Sequence, residues 1–218
     1  MNLIIFGPPG AGKGTQSNFI VNKYDLFQLS TGKILREEVK NKTKLGIKIA
    51  SLMSSGLLIE NEIVNKLIEG FVSNRKYKNR FIFDGYPRNI EQANNLDALL
   101  QKYEQKIDLV LDLSVSLDII KKRISGRSTC SICGKIYNDF FNPPPKNSSC
   151  CASKFLQKRS DDTLDIAVKR FQTYEKNMDP LIKFYKDLNL LKSVNGERTI
   201  SQISAEISEI IDSIEGWL

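Results

Sequence analysis

The chain has 218 residues, 41% of them hydrophobic and 26% charged, with a formal charge of +7. That length and balance suit one globular α/β domain carrying insertions, and no apolar run is long enough to span a membrane. There is no histidine, which excludes Ser-His-Asp and Cys-His catalysis, phosphohistidine relays and imidazole metal ligands. The positive balance points to a polyanionic partner. No basic-then-apolar signal segment precedes the first strand, so a cytoplasmic location is expected. In that setting four cysteines confined to positions 130–151 point to a metal rather than to disulfides.

The apolar run Leu3–Phe6 predicts a strand, and Gly7-Pro8-Pro9-Gly10-Ala11-Gly12-Lys13-Gly14-Thr15 follows it directly. A helical pattern then runs from Lys13 to about Tyr24. Strand, glycine-rich turn and helix N-terminus make an anion cradle, with amides, helix dipole and the Lys13 ammonium aimed at a phosphate chain. Phe27–Leu29 reads as a short strand, and Ser30 or Thr31 as the cap of a helix over 34–40. Two further helices are predicted at 47–54 and 60–71, the latter from apolar positions Ile63, Val64, Leu67, Ile68 and Phe71. These short helices with no strand between them read as a helical insertion.

Phe81–Asp84 is a buried strand ending in an acid, where open α/β sheets place their ligands. Gly85-Tyr86-Pro87-Arg88 is a turn, 91–103 a helix, 109–113 a strand, and 116–125 a helix stopped by Gly126. From Arg127 to Ser160 cysteines, prolines and serines leave no room for a long regular element. A helix from Asp162 to Met178 is expected to break at Pro180 and continue to Lys186. A strand over 190–194 and an amphipathic helix over 200–214 close the chain. Alternating strands and helices predict an α/β fold with a doubly wound, mostly parallel five-stranded sheet.

Gly14 stands where a Walker motif has the Ser or Thr that holds Mg²⁺, and Thr15 follows, which argues against an ordinary GTPase or motor ATPase. The stretch from Gly7 to Thr15 resembles the phosphate loop of adenylate kinases. Ser30-Thr31-Gly32 with Arg36, Asp84-Gly85-Tyr86-Pro87-Arg88 with Gln92, Arg123 with Arg127, and Arg159-Ser160-Asp161-Asp162 with Arg170 are similar to that family's motifs, in its order. The segment with Cys130, Cys133 and Cys150 resembles the lid of the family's long, bacterial-type branch.

The resemblance runs the whole length and implies the reaction MgATP + AMP ⇌ 2 ADP. It implies a P-loop core over 1–29, 60–126 and 161–218, an AMP-binding insertion over 30–59 and a lid over 127–160. A monomer acting on ATP, AMP and ADP, without nucleic acid or membrane, is the matching expectation. Gly10, Ala11, Gly12, Lys13, Gly14 and Thr15 would hold the ATP phosphates, with Lys13 on the transferring group. Thr31, Arg36, Leu57, Leu58, Ile59, Gly85, Tyr86, Pro87, Arg88 and Gln92 would bind AMP, Gln92 reading the adenine edge. Arg123 and Arg127 would close on ATP, and Arg159 and Arg170 would bridge the donor and acceptor phosphates. Ile136, Tyr137 and the backbone near Arg198 would flank the ATP base and ribose, and Asp84 would orient Mg²⁺ through its waters. Catalysis would fall to Lys13, Arg88, Arg123, Arg159 and Arg170.

Physical reasoning agrees with this reading. Transfer between phosphates needs charge neutralisation and in-line positioning, and an acceptor already ionised needs no general base. Arginine binds phosphate oxygens bidentately and keeps its charge at any working pH. One departure is Lys33, where the family usually has Asp after Ser-Thr-Gly. Other readings are a kinase using GTP or preferring UMP or CMP, a nucleic-acid-binding zinc protein, and a regulatory P-loop switch.

Cys130-Ser131-Ile132-Cys133 is a tight knuckle, and Cys150-Cys151 lies beyond Pro143-Pro144-Pro145. Four thiolates would suit structural Zn²⁺ in a lid too small for its own core. The family's zinc lids carry two CxxC pairs, whereas position 153 here is Ser153. Adjacent cysteines rarely both face one metal, so Cys151, Asp139 or water is expected in the fourth place.

Overall fold

A computed structural model of the chain describes all residues except 56, 58, 146–148, 160, 161 and 215–218. The strands are β1 (Leu3–Phe6), β2 (Phe27–Ser30), β3 (Phe81–Asp84), β4 (Leu109–Ser114), β5 (Arg127–Cys130), β6 (Ile136–Asn138), β7 (Leu156–Gln157) and β8 (Leu191–Asn195). The helices are α1 (Lys13–Tyr24), α2 (Thr31–Lys40), α3 (Lys44–Ser54), α4 (Asn61–Val72), α5 (Ile90–Lys102), α6 (Leu117–Ser125), α7 (Leu164–Asp187) and α8 (Ile200–Asp212).

Five strands form a parallel sheet in the order β2-β3-β1-β4-β8, as the alternation of elements predicts. Strand β1 is central and wholly buried, so its continuous apolar run feeds two cores at once. Leu3 and Ile5 pack on one face with Ile20 of α1 and Ile203, Ile207 and Ile211 of α8. Ile4 and Phe6 pack on the other with Val64 and Ile68 of α4 and Leu96 of α5. Because side chains alternate along a strand, four consecutive apolar residues tie both helix layers together.

The helix expected to break at Pro180 instead runs unbroken through α7. Ala167 and Phe171 lie in the first core, and Met178, Leu181 and Tyr185 in the second. A proline inside a helix costs about 3 kcal/mol, but each buried side chain contributes about 1.5–3 kcal/mol. Pro180 itself is exposed, so its ring displaces no packing and burial on both sides of it wins.

Helix α3 begins about one turn before the expected Ile47. The Thr43 hydroxyl accepts from Gly46 N at 2.9 Å and caps it there. A β-carbon on Gly46 would lie 2.0 Å from the Glu38 carbonyl oxygen, so only glycine lets α2 and α3 approach this closely.

Between 127 and 160 the chain forms a small antiparallel sheet, ordered β6-β5-β7. Its strands are two to four residues long, too short for a periodic signal in the sequence. Among the described residues no helix is long and apolar enough to cross a membrane.

Candidate active site

The glycine-rich turn leaves the C-terminal end of β1 and enters α1 through Gly12, the helix's N-terminal cap residue. Gly10 and Gly12 have φ of +91° and +100°, a region that penalises side-chain-bearing residues. Such residues would open the turn and scatter its amides. The Lys13 ammonium folds back over the turn, donating to Gly7 O at 2.5 Å and Pro8 O at 3.1 Å. Arg123, near the end of α6, donates to Ala11 O at 2.8 Å and to Gly196 O at 2.7 Å. The turn is thereby moored to two distant segments.

Facing the turn is the end of β3. In-register pairing of Ser30 with Asp84 brings the ends of β2 and β3 to one edge of the cleft. The Gln28 amide donates to Asp84 Oδ2 at 3.1 Å and fixes the carboxylate beside Lys13. Arg88 donates through Nε to Gly85 O at 2.8 Å, and its backbone N–H donates to Gln92 Oε1 at 2.8 Å. Both ends of the Gln92 amide are engaged, since Nε2 donates to Asn61 Oδ1 at 2.7 Å.

A cleft of about 1850 Å³ separates these groups. Gly10 to Thr15, Arg36, Asp84, Gly85, Pro87 and Arg88 line it, as do Arg123, Arg127, Ile136, Tyr137, Arg159, Arg170 and Arg198. Lys33, the departure noted in the sequence, also lines the cleft and is exposed. Charges here act on one another. Burial pulls the Lys13 ammonium down to about 8, with Arg88, Arg170 and Arg127 adding to the shift and Asp84 opposing it. Burial likewise pulls Arg88 down to about 10, aided by Arg170 and Arg36 against Asp84. Cations gathered this tightly repel one another, and a polyanion in the cleft relieves that repulsion.

Other predicted residues stand behind the cleft wall. Thr31 is buried and donates to Gly85 O at 2.9 Å. Tyr86 is fully buried in the second core, its hydroxyl donating to Asn65 Oδ1 at 2.7 Å. These two support the Gly85–Arg88 turn from below. Leu57 is exposed and Ile59 half-buried, and neither lines the cleft; Leu58 lies outside the described residues. Arg127 makes a two-pronged ion pair with Asp162, one prong at 2.7 Å from Nε, and the Asp162 side chain is only 1% exposed. Arg198 pairs at the surface with Glu206 at 3.0 Å.

Several supporting groups escape a reading of the sequence. Gln28 and Asn61 carry no motif and find their partners only through the fold. Asp112 does carry a signal, since it sits near the end of β4 as Asp84 ends β3. Tyr174, which lines the cleft, donates to it at 3.4 Å, and burial pushes the Asp112 carboxyl up.

In the lid the four cysteine sulfurs all lie within 4.8 Å of one another. Cys151, which sequence reasoning left competing with Asp139 and water, supplies the fourth sulfur, 3.6 Å from Cys133 Sγ. Tetrahedral zinc–thiolate bonds of about 2.3 Å place ligand sulfurs about 3.8 Å apart, so this donor set fits a metal ion. Asp84 offers a hard carboxylate oxygen at the cleft, the donor type that suits Mg²⁺ held through water.

Comparison with known proteins agrees with this geometry. The family model for adenylate kinase matches residues 5–190. The chain is 47% identical to an adenylate kinase of Pelagibacter ubique, over 97% of this chain and 99% of the relative. It is 42% identical to one of Fusobacterium nucleatum, over 97% and 98% respectively. To one of Thermococcus kodakarensis it is 40% identical, over 98% and 95%. With a phosphate turn, a facing arginine cluster and relatives matched along nearly their whole length, the chain belongs to the adenylate kinase family.

Proposed function

We propose that the enzyme, an ATP:AMP phosphotransferase, works as a two-sided phosphate clamp with no acid or base catalyst. The observation that carries this reading is the mutual field of Lys13, Arg36, Arg88, Arg127 and Arg170 across one cleft. Two nucleotides bring that much negative charge together; one hydrolysed nucleotide does not require a second cationic wall.

In this reading the turn from Gly10 to Thr15 holds the donor phosphates through its amides and the α1 N-terminus. Lys13 exchanges its carbonyl partners for the transferring group. Arg36 and Arg88 hold the acceptor phosphate, and Arg159 and Arg170 span the two. Arg123 and Arg127 close over the donor from the lid hinge. Pinned by Asn61 and the Arg88 backbone, Gln92 sits beside the acceptor pocket, where its amide reads the adenine edge. Mg²⁺, when bound with ATP, supplies further neutralisation at the phosphates, and Asp84, oriented by Gln28, holds its water shell. Closure of the segments 30–59 and 127–160 over the core excludes water, the competing acceptor. The four lid cysteines hold structural Zn²⁺. The enzyme acts as a cytoplasmic monomer, needing neither membrane nor nucleic acid, because both walls of the cleft come from one chain.

The test is a panel of nucleoside monophosphates with MgATP, followed by diphosphate formation. ADP from AMP, well above the products from UMP, CMP or GMP, is expected. Phosphate release without diphosphate formation would overturn the clamp in favour of a hydrolytic switch.

Lys13 also sets a pH dependence. With its pKa near 8, it is a cation below that pH and loses the charge above it. The value of kcat/KM for ATP, which reports the free enzyme, is therefore level below about pH 8 and falls tenfold per unit above it. Bound phosphates favour the charged form, so the fall in kcat comes at higher pH. Paired profiles of kcat/KM and kcat check both limbs.

A further inference from the structure

The alternation of β6 separates two tasks that the sequence assigned to one. Register with β5 pairs Ile136 with Thr129 and Tyr137 with Ser128, so the two side chains leave opposite faces of the strand. Ile136 reaches towards the phosphate turn, its Cδ1 lying 3.7 Å from where a β-carbon on Gly14 would sit. The Tyr137 ring goes the other way, into a small buried cluster with Cys130 and Cys151. Its hydroxyl donates to Cys151 Sγ at 3.1 Å, with both residues buried.

We propose that Tyr137 is a positioning residue for the lid metal site, its O–H holding Cys151 Sγ as the fourth ligand of a zinc ion. The inference rests on the reading of the cysteine cluster as a zinc site and adds to it what makes that site workable. The difficulty is geometric and electrostatic together. Cys150 and Cys151 are adjacent, so their side chains tend to diverge, and a tether beyond the backbone is needed to turn Cys151 inwards. The Cys130 sulfur is anchored on Cys150 O at 3.1 Å; Tyr137 gives Cys151 its own anchor. A zinc ion with four thiolates also carries a net charge of −2 in a largely buried pocket. An O–H donor to one sulfur draws off part of that charge, as outer hydrogen bonds do at metal sites generally.

The experiment compares the full-length enzyme with Tyr137→Phe, which keeps the ring and removes only the donor. Zinc affinity is measured by competition with a metal-binding dye, and the cobalt-substituted proteins are compared by absorption. Tyr137→Phe is expected to bind zinc ten- to a hundredfold more weakly. Its thiolate-to-cobalt charge-transfer band should move to lower energy, because the undonated sulfur is richer in electrons. In a Cys151→Ser background the same change should cost little further affinity, since the sulfur it serves is gone. Equal zinc affinity and an unmoved band in Tyr137→Phe would make Tyr137 a packing residue and overturn the proposal. Failure of the parent enzyme to take up zinc would instead overturn the metal reading beneath it. If Tyr137→Phe cannot be prepared folded, Tyr137→Phe and Cys151→Ser are refolded with excess cobalt. A parent-like band in Tyr137→Phe then counts against the proposal, and a shifted or absent one supports it.

Discussion

Lys13→Met is expected to lower kcat by about 10²–10³-fold, the range found when a preorganised electrostatic partner of a transition state is removed. Methionine nearly matches the length and apolar stem of lysine, so the substitution takes away charge and donors without opening a cavity. Stability should not fall with activity. The folded-state pKa of Lys13 is pulled below its ordinary value, chiefly by burial, so folding works against its charge at neutral pH. Removing that charge relieves the cost, while Gly7 O and Pro8 O, its two acceptors, turn to water in the cleft. The unfolding midpoint should therefore stay within a few degrees of the parent or rise. Steady-state phosphotransfer and thermal unfolding measured together make the check. Near-parent turnover would remove Lys13 from the mechanism, and a collapsed midpoint would reassign its effect to folding.

Arg88 carries the second large effect. Its Nε is committed to Gly85 O and its backbone N–H to Gln92, which aims the remaining guanidinium donors into the cleft. Arg88→Leu should reduce kcat/KM for AMP by about 10²–10³-fold, with a much smaller change for ATP. Arg88→Lys should recover only part of the loss. A lysine keeps the charge but cannot hold Gly85 O while offering a fork to phosphate. The measurement varies AMP at saturating MgATP and then ATP at saturating AMP. Equal losses towards both nucleotides would mean that the Gly85–Arg88 turn had collapsed, not that an acceptor contact had gone.

How much of this could be read from the chain depended on the range of the interaction. Strands β1, β3 and β4 are unbroken apolar runs, and buried parallel strands admit few other residues, so the central sheet was plain in the sequence. The phosphate turn was legible because its glycines, its lysine and its flanking elements are consecutive. Failures came where a distant partner overrode local preference. Pro180 has the local signature of a helix break, yet two separate cores hold α7 straight through it. Thr43 starts α3 a turn early because its hydroxyl finds Gly46 N, a choice made jointly with the close packing of α2. Gln28, 56 residues from Asp84, has no pattern to announce it. The cysteines lay between these cases. Their clustering was visible, but which group stands fourth follows from the path of the lid strands.

The two faces of β6 also bear on how such a lid can change over generations. A strand that turns Ile136 to the nucleotide and Tyr137 to the cysteines lets substitutions accumulate on one side without being read by the other. The buried polar staple of the lid can be rebuilt with different chemistry, sulfur and metal exchanged for hydrogen-bonded side chains, while the wall facing the donor stays as it was. For an engineer the same separation makes lid stability and nucleotide preference two independent dials, set by alternate residues of one three-residue strand.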